Sequence, residues 1–307
     1  MYESVVVTAA LAGVLGLLVG SFLNVVIHRL PRMMERQWAD EHAQYALDAA
    51  AAGDSAQRTA PATDATDATD AKPGEAPTFN LVTPRSRCPS CGHAVRWYEN
   101  IPVLSYLFLK GRCSACGTGI GVRYPLVELL TGALFAFCGY RWGLTPTAAL
   151  WCGFSAALVA LAFIDWDTTL LPDDITLPLL WAGLLASALG WIAVPLPSAV
   201  WGAACGYLSL WSVYWAFKLA TGKEGMGFGD FKLFAALGAW FGWEALVPMI
   251  LVASVIGALV GIGMKLASSL REGLYVPFGP FLAGAGLTAM LVGPARLMQT
   301  ILQWLGM

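Results

Sequence analysis

Two kinds of residue in this chain have the types and spacing for chemistry: cysteines paired in a polar stretch, and aspartates at the ends of apolar ones. The cysteines stand in "CPSCGH" (88–93) and "CSACG" (113–117), two Cys-x-x-Cys pairs separated by 21 residues. Two intervening residues let both thiolates of a pair point at one ion, and two pairs supply the soft ligands of a tetrahedral site, for which zinc is the default occupant. Cys88, Cys91, Cys113 and Cys116 are therefore the expected metal ligands, with two disulfides or a redox pair as competing readings. Four protein ligands leave no open position for a substrate or an activated water, so the expected metal is structural. His93 adjoins a knuckle without being needed as a ligand, and His28 and His42 have no partner legible in the sequence. Cys138, Cys152 and Cys205 lie in apolar runs, where free cysteine packs as a small hydrophobe.

A carboxylate beside hydrocarbon is costly, which makes it a functional candidate. One group lies in "FIDWDTTLLPDD" (163–174), and the other is Asp230 in "GMGFGD" (225–230). If both segments lie at one membrane face, two carboxylates about 65 residues apart in sequence can meet. Such a dyad shares a proton, because neighbouring like charges do not both ionise cheaply. Capping competes with this reading: Asp173 and Asp174 follow Pro172 and are expected to cap the next helix, and Asp230 is also placed to cap one, with Gly225, Gly227 and Gly229 as a hinge. The glycine run is not a dinucleotide loop, since no strand precedes it and its spacing is not G-x-G-x-x-G.

The elements that must position these residues are apolar helices. The chain has 307 residues, 57% hydrophobic and only 12% charged, against about 25% charged for a soluble domain. Its mean hydropathy is +0.63. With a net charge of -2 and no basic stripe, nucleic-acid binding is excluded. The expected fold is an all-α polytopic membrane protein of about eight transmembrane helices, with a small zinc-knuckle domain between the first and second. The apolar runs are 4–27, 125–140, 147–164, 175–194, 198–220, 231–243, 245–267 and 278–294. The run 231–243 is the weakest, being short enough for a re-entrant segment. The first run lacks the basic n-region and cleavage site of a signal peptide and reads as a retained anchor.

This divides the chain into a first helix (1–27), a polar domain (28–124) and a membrane-embedded domain (125–307). Within the polar domain, "RMMERQWADEHAQYALDAA" suggests a short amphipathic helix on the membrane, and an insert over about 50–77, containing "PATDATDATDA", is expected to be disordered. With the N-terminus outside and all eight runs crossing, 16 of the 18 lysines and arginines fall on the inner side, leaving only Arg141 and Arg296 outside. The polar domain is then cytoplasmic, which disfavours disulfides.

Taken together, "GSFLNVVIHRLP" (20–31), the double knuckle, "WYENIPVLSYL" (97–107), "RYPLVELLTG" (123–132), "IDWDTTLLPD" (164–173) and "GMGFGDFKL" (225–233) resemble the type IV prepilin peptidases, bifunctional leader peptidases and N-methyltransferases of the bacterial inner membrane. The alanine, threonine and aspartate insert departs from that pattern. The resemblance implies an aspartyl protease of the G-x-G-D type with catalytic carboxylates on Asp165 and Asp230, Asp167 being the second choice in its segment. It implies prepilin and type II secretion pseudopilin substrates, with pilus or secretion machinery as possible partners, and S-adenosylmethionine as methyl donor. Glu99 and Asn100, beside the knuckles, are candidates for donor contact, or else a polar pair that orders the domain. With Asp165 ending one span and Asp230 beginning another, helix dipoles would make Asp230 the base and Asp165 the acid. A carboxylate transporter or proton relay, and a non-enzymatic pilus-assembly scaffold, are the readings from other classes; the relay expects carboxylates deep within spans.

Overall fold

The computed structural model describes residues 2–55, 79–267, 276–304 and 306. It is built of α1 (Tyr2–Ser55), α2 (Leu104–Phe108), α3 (Arg123–Trp142), α4 (Pro146–Thr168), α5 (Asp173–Ala188), α6 (Leu196–Thr221), α7 (Phe228–Phe241), α8 (Leu246–Leu266), α9 (Gly279–Val292) and α10 (Pro294–Trp304). Among the described residues the extended pairings are two isolated bridges, Arg87 with Ala94 and Arg112 with Gly119, each closing one cysteine knuckle.

Each apolar run coincides with a helix, and local chemistry sets the ends. Thr145 caps α4, its hydroxyl accepting the Ala148 N–H at 3.2 Å, and Pro146 occupies the first turn where its missing donor costs nothing. Gly222 ends α6 in the left-handed region, at φ 70°, where glycine meets no Cβ penalty. Three helical stretches are long and apolar enough to cross a membrane, Val5–Ala49, Pro146–Thr168 and Trp243–Leu266; α9 with α10 makes a fourth if a pair bent by 105° counts as one span. Eight crossings are not reached on these grounds. α7 and α9 have 14 residues each, about 21 Å of helix against a hydrocarbon core of about 30 Å.

The first helix does not stop at Ile27. α1 runs unbroken to Ser55 through Pro31, so the amphipathic stretch expected to be a separate helix continues the anchor. Arginine, methionine, glutamate, glutamine and alanine dominate that extension, and all favour helix without a hydrophobic face. Most of the expected insert, including the repeat at 61–71, lies outside the described residues, as do Arg58, Lys72 and Arg271 of the charge count.

α1 and α3 run antiparallel and so close that a Cβ on Gly16 would lie 2.7 Å from both the Phe135 Cβ and the Thr131 carbonyl. This is the small-residue packing by which apolar helices gain contact where no water drives them together. Cys138 and Cys152 join the core as expected, whereas Cys205 is exposed on α6. The centre of the molecule is α4, α7 and α9. Phe154, Leu158, Phe234, Leu237 and Leu282 are fully buried there, and Trp240 is held by Phe154, 4.7 Å between ring centroids, and by its own N–H to the Leu179 carbonyl at 2.8 Å.

Candidate active site

The antiparallel register of α4 and α7 sets the site. Phe154 meets Trp240 and Phe241 at one end. One turn on, Leu158 and Leu237 both close on Gly286 of α9, where an added Cβ would lie 3.1 Å and 2.5 Å from them. Continuing by turns, up α4 and back along α7, leads to Asp165 and Asp230. At that level, Leu171 fills the space between Gly229 and Gly279: a Cβ on Gly229 would sit 2.6 Å from the Leu171 Cβ, and one on Gly279 would sit 3.1 Å from its Cδ1 and 2.5 Å from Asp165 Oδ2. Asp165 is the ionisable group whose charge bears on Asp230.

The structure thus brings together the two aspartates singled out from the sequence. Asp165 is 4% and Asp230 7% exposed, and Asp165 Oδ2 and Asp230 Oδ1 are the buried side-chain oxygens left without a hydrogen-bond partner among the described residues. Buried polar atoms are otherwise nearly always satisfied, and exceptions cluster where chemistry needs them. Asp165 lies in the last turn of α4 and Asp230 in the first turn of α7.

The other acidic residues are committed elsewhere. Asp167 turns away from Asp165 to the Arg123 guanidinium, which donates to both its oxygens at 2.8 and 2.6 Å. Asp173 receives Lys232 Nζ at 2.7 and 2.6 Å, joining α5 to α7. Neither Asp173 nor Asp174 caps α5: Pro172 is the cap residue and no side chain bonds there, because both aspartates already lie within the first turn. Asp230 is likewise inside its helix, with Gly227 at the cap. The glycines differ from the hinge reading. Gly229 is small because Leu171 occupies its Cβ space, whereas only the Asp230 carboxylate lies near Gly227, at 3.7 Å from an added Cβ.

The cysteines converge as expected. The Sγ atoms of Cys88, Cys91, Cys113 and Cys116 all lie within 4.8 Å of one another, with Cys88 and Cys116 at 3.8 Å and Cys91 and Cys113 at 4.0 Å. Tetrahedral thiolates on a zinc ion with bonds of about 2.3 Å would stand about 3.8 Å apart, so the cluster suits a metal ion of that kind. The thiols also act on one another. The Thr118 hydroxyl and N–H draw the Cys116 thiol down to about 6. Cys91, although the His93 backbone favours its thiolate, is pushed up to about 12, chiefly by the Cys116 thiol and burial.

Beside the knuckles lies a cavity of about 610 Å³ lined by His93, Tyr98, Glu99, Leu104, Phe108 and Ser114 among others. Glu99 is the polar centre of that wall. Its carboxylate accepts the Arg96 N–H at 2.8 Å, the Ser114 hydroxyl at 2.7 Å and His93 Nε2 at 3.2 Å, and these bonds, Arg96 first, hold its pKa at about 2. His93, not needed as a ligand, therefore has a partner in Glu99. Asn100 ends the turn Trp97–Asn100, is exposed and does not line the cavity.

Comparison with known proteins decides the family. The model of the bacterial peptidase A24 N-terminal domain matches residues 14–142, and that of the type IV leader peptidase family matches residues 152–262. The chain belongs to the type IV leader peptidase family. It is 49% identical to a prepilin leader peptidase/N-methyltransferase of Pseudomonas aeruginosa, over 95% of this chain and 92% of the relative. It is 50% identical to one of Aeromonas salmonicida, over 90% and 88%. A third, of Burkholderia pseudomallei, is 50% identical over 92% and 85%. No solved structure matches the chain. Membership of the family was legible in the motifs; the burial of two charged residues within them was not. Arg29, 7% exposed, donates to the Pro84 carbonyl at 2.6 Å and to that of Asn80 at 2.9 Å, and Glu128, 8% exposed, lies inside "PLVELL". A lone carboxylate in an apolar run was the available signal for the second.

Proposed function

We propose that this chain removes the leader of prepilins and type II secretion pseudopilins and methylates the amine so exposed. Its relatives carry both activities in their names, at about half identity over nearly the whole chain. Asp165 and Asp230 are the catalytic pair, and the observation that carries this is their two unpartnered oxygens, buried at the same level of the bundle. Sharing one proton, the ionised carboxylate takes a proton from water as it attacks the scissile carbonyl, and the protonated one gives a proton to the leaving amine. The dipole of α7 favours negative charge on Asp230 and that of α4 disfavours it on Asp165, making Asp230 the base and Asp165 the acid. Different limbs of the pH–rate profile should therefore be lost in Asp230→Asn and Asp165→Asn, and identical profiles would refute the assignment.

The knuckles hold a structural zinc ion through Cys88, Cys91, Cys113 and Cys116. The cavity beside them takes S-adenosylmethionine: its volume is that of a small-molecule site, Tyr98 and Phe108 offer aromatic faces, and Glu99 keeps a negative charge against a cationic ligand. When bound, the donor supplies an electrophilic methyl group. The chain crosses the inner membrane eight times with its N-terminus in the periplasm; Arg123, Lys218 and Lys232, at the dyad end of the bundle, support a cytoplasmic position for dyad and knuckles. Short helices such as α7 then cross inside the bundle, shielded from lipid. Mass spectrometry of a purified prepilin after incubation tests the function. Wild type should yield a shortened, methylated product and Asp230→Asn the intact precursor; trimming by the mutant would remove the assignment.

A further inference from the structure

We infer that Glu128 is a positioning residue for methyl transfer, fixing the wall of the knuckle-side cavity in place over the helix bundle. The inference rests on the reading of that cavity as the donor site.

Glu128 lies one and a half turns into α3, walled in by α1, where a Cβ on Gly20 would come within 2.7 Å of its Cα. The carboxylate is not idle. Oε2 accepts the backbone N–H of Val103 at 2.8 Å, and the side chain of Ser21 on α1, itself 9% exposed, bonds it as well. Val103 stands at φ 59° and ψ -47°, and the Leu104 N–H reaches back over it to the Pro102 carbonyl at 2.5 Å. That three-residue turn is strained for any side chain, and most for a β-branched one. Such a conformation persists only where the surroundings over-determine it.

What the turn aims is the cavity wall. Glu99 and Ile101 precede it, and Leu104, Ser105 and Phe108 follow on α2; all five line the cavity. The segment has little packing of its own, since Leu104 is 52% and Phe108 84% exposed. A buried carboxylate belonging to the bundle therefore sets where the cavity sits relative to the aspartate pair, and a newly made N-terminus must travel between the two. Glu128 is remote from both Asp165 and the cysteines in its bonding, so its loss should separate the two reactions.

The experiment uses full-length protein in lipid nanodiscs with a purified prepilin, reading leader loss and N-methylation on the same product. Glu128→Ala is expected to cut methylation at least tenfold, chiefly through a higher KM for S-adenosylmethionine, with leader removal within threefold of wild type. Glu128→Gln keeps a carbonyl acceptor for the Val103 N–H and should methylate within threefold of wild type. Val103→Gly added to Glu128→Ala should restore at least threefold of the lost methylation, because glycine adopts positive φ without the support. Equal loss of both activities in Glu128→Ala, with Glu128→Gln no better, would make the residue a fold requirement and overturn the inference. Should Glu99→Ala methylate normally, the cavity reading falls and this inference with it. Should Glu99→Ala fail while Glu128→Ala methylates normally, the cavity reading stands and only the positioning role is lost.

Discussion

The aspartate pair and the cysteine cluster are held by opposite means. Around the pair, Ile164 and Phe231 are fully buried, the helices interlock through small residues, and the carboxylates are the groups with unmet bonding. Between residues 79 and 122 only Pro102 and Gly111 are buried, yet the polar groups are densely bonded, from the knuckle bridges to Glu99. The bundle is specified by packing and leaves two buried carboxylate oxygens unbonded, whereas the knuckle region, with little buried, is held by bonds between polar groups and has a cysteine cluster that suits a metal. The first should survive loss of the second.

The largest effect expected breaks the comparison at the pair. Asp165→Asn or Asp230→Asn should lower the single-turnover rate of leader removal by about 10³-fold or more, the loss of a general acid or base together with its partner's shared proton. Asp167→Asn should cost less than about tenfold, because Asp167 is 36% exposed in a salt bridge with Arg123. If Asp167→Asn is the silent enzyme and Asp165→Asn is active, the pairing read from burial is wrong.

Next in size is removal of the metal. Cys88→Ser with Cys91→Ser, or chelation, should open the region 79–122 to protease and abolish methylation, while leader removal stays within about fivefold; zinc sites of this kind supply folding free energy outright. Acid should do the same, since the ligands bind as thiolates. Glu99 loses its charge only at lower pH. Its folded pKa of about 2 is depressed, so its stabilisation is present above the unfolded value and is lost only as pH falls towards 2; metal release well above that pH reports the thiolates. Loss of both activities on chelation would show that the two regions are one cooperative unit.

The same contrast explains what the sequence disclosed. Ligand spacing is local, so the cysteine cluster was fully legible, and apolar runs mark helices by composition alone. Spacing alone does not separate Asp165 from Asp167, which only the resemblance ranks, because the partner that engages Asp167 is Arg123, more than 40 residues away on another helix. Asp173 was misjudged for a related reason: Pro172 takes the cap position, and the partner, Lys232, comes from α7. The end of α1 was invisible because its extension, helical but polar, has no face to bury. Glu128 was overlooked because its bond is to a backbone N–H, which no side-chain pattern reports.

A third, smaller effect sharpens the packing side. Gly279→Ala would place a Cβ 2.5 Å from Asp165 Oδ2, forcing the carboxylate or α9 to shift. A displacement of a few tenths of an ångström to one ångström at a catalytic group costs up to about 10²-fold, so leader removal should fall by about 10 to 100-fold with methylation of pre-cleaved pilin unchanged. Gly284, with open space around it, is the control: Gly284→Ala should be silent.

The smallest effect tests whether surface charge at the lip of the bundle matters. The Lys232–Asp173 pair is short at 2.6 Å, but its side chains are 31% and 51% exposed. An exposed pair contributes about 0 to 1 kcal/mol, against several kcal/mol for opening a cavity among fully buried side chains, so packing rather than this ion pair keeps α5 on α7. Lys232→Gln should therefore shift the thermal midpoint of the purified protein by no more than a few degrees and leave leader removal within about threefold. The result should not change with added salt beyond the screening that removes the same interaction from wild type. A loss of 10²-fold would mean that Lys232, two residues beyond Asp230, acts on the pair through its charge, and the division between a packed catalytic bundle and a bonded, metal-dependent knuckle region would have to be redrawn at that residue.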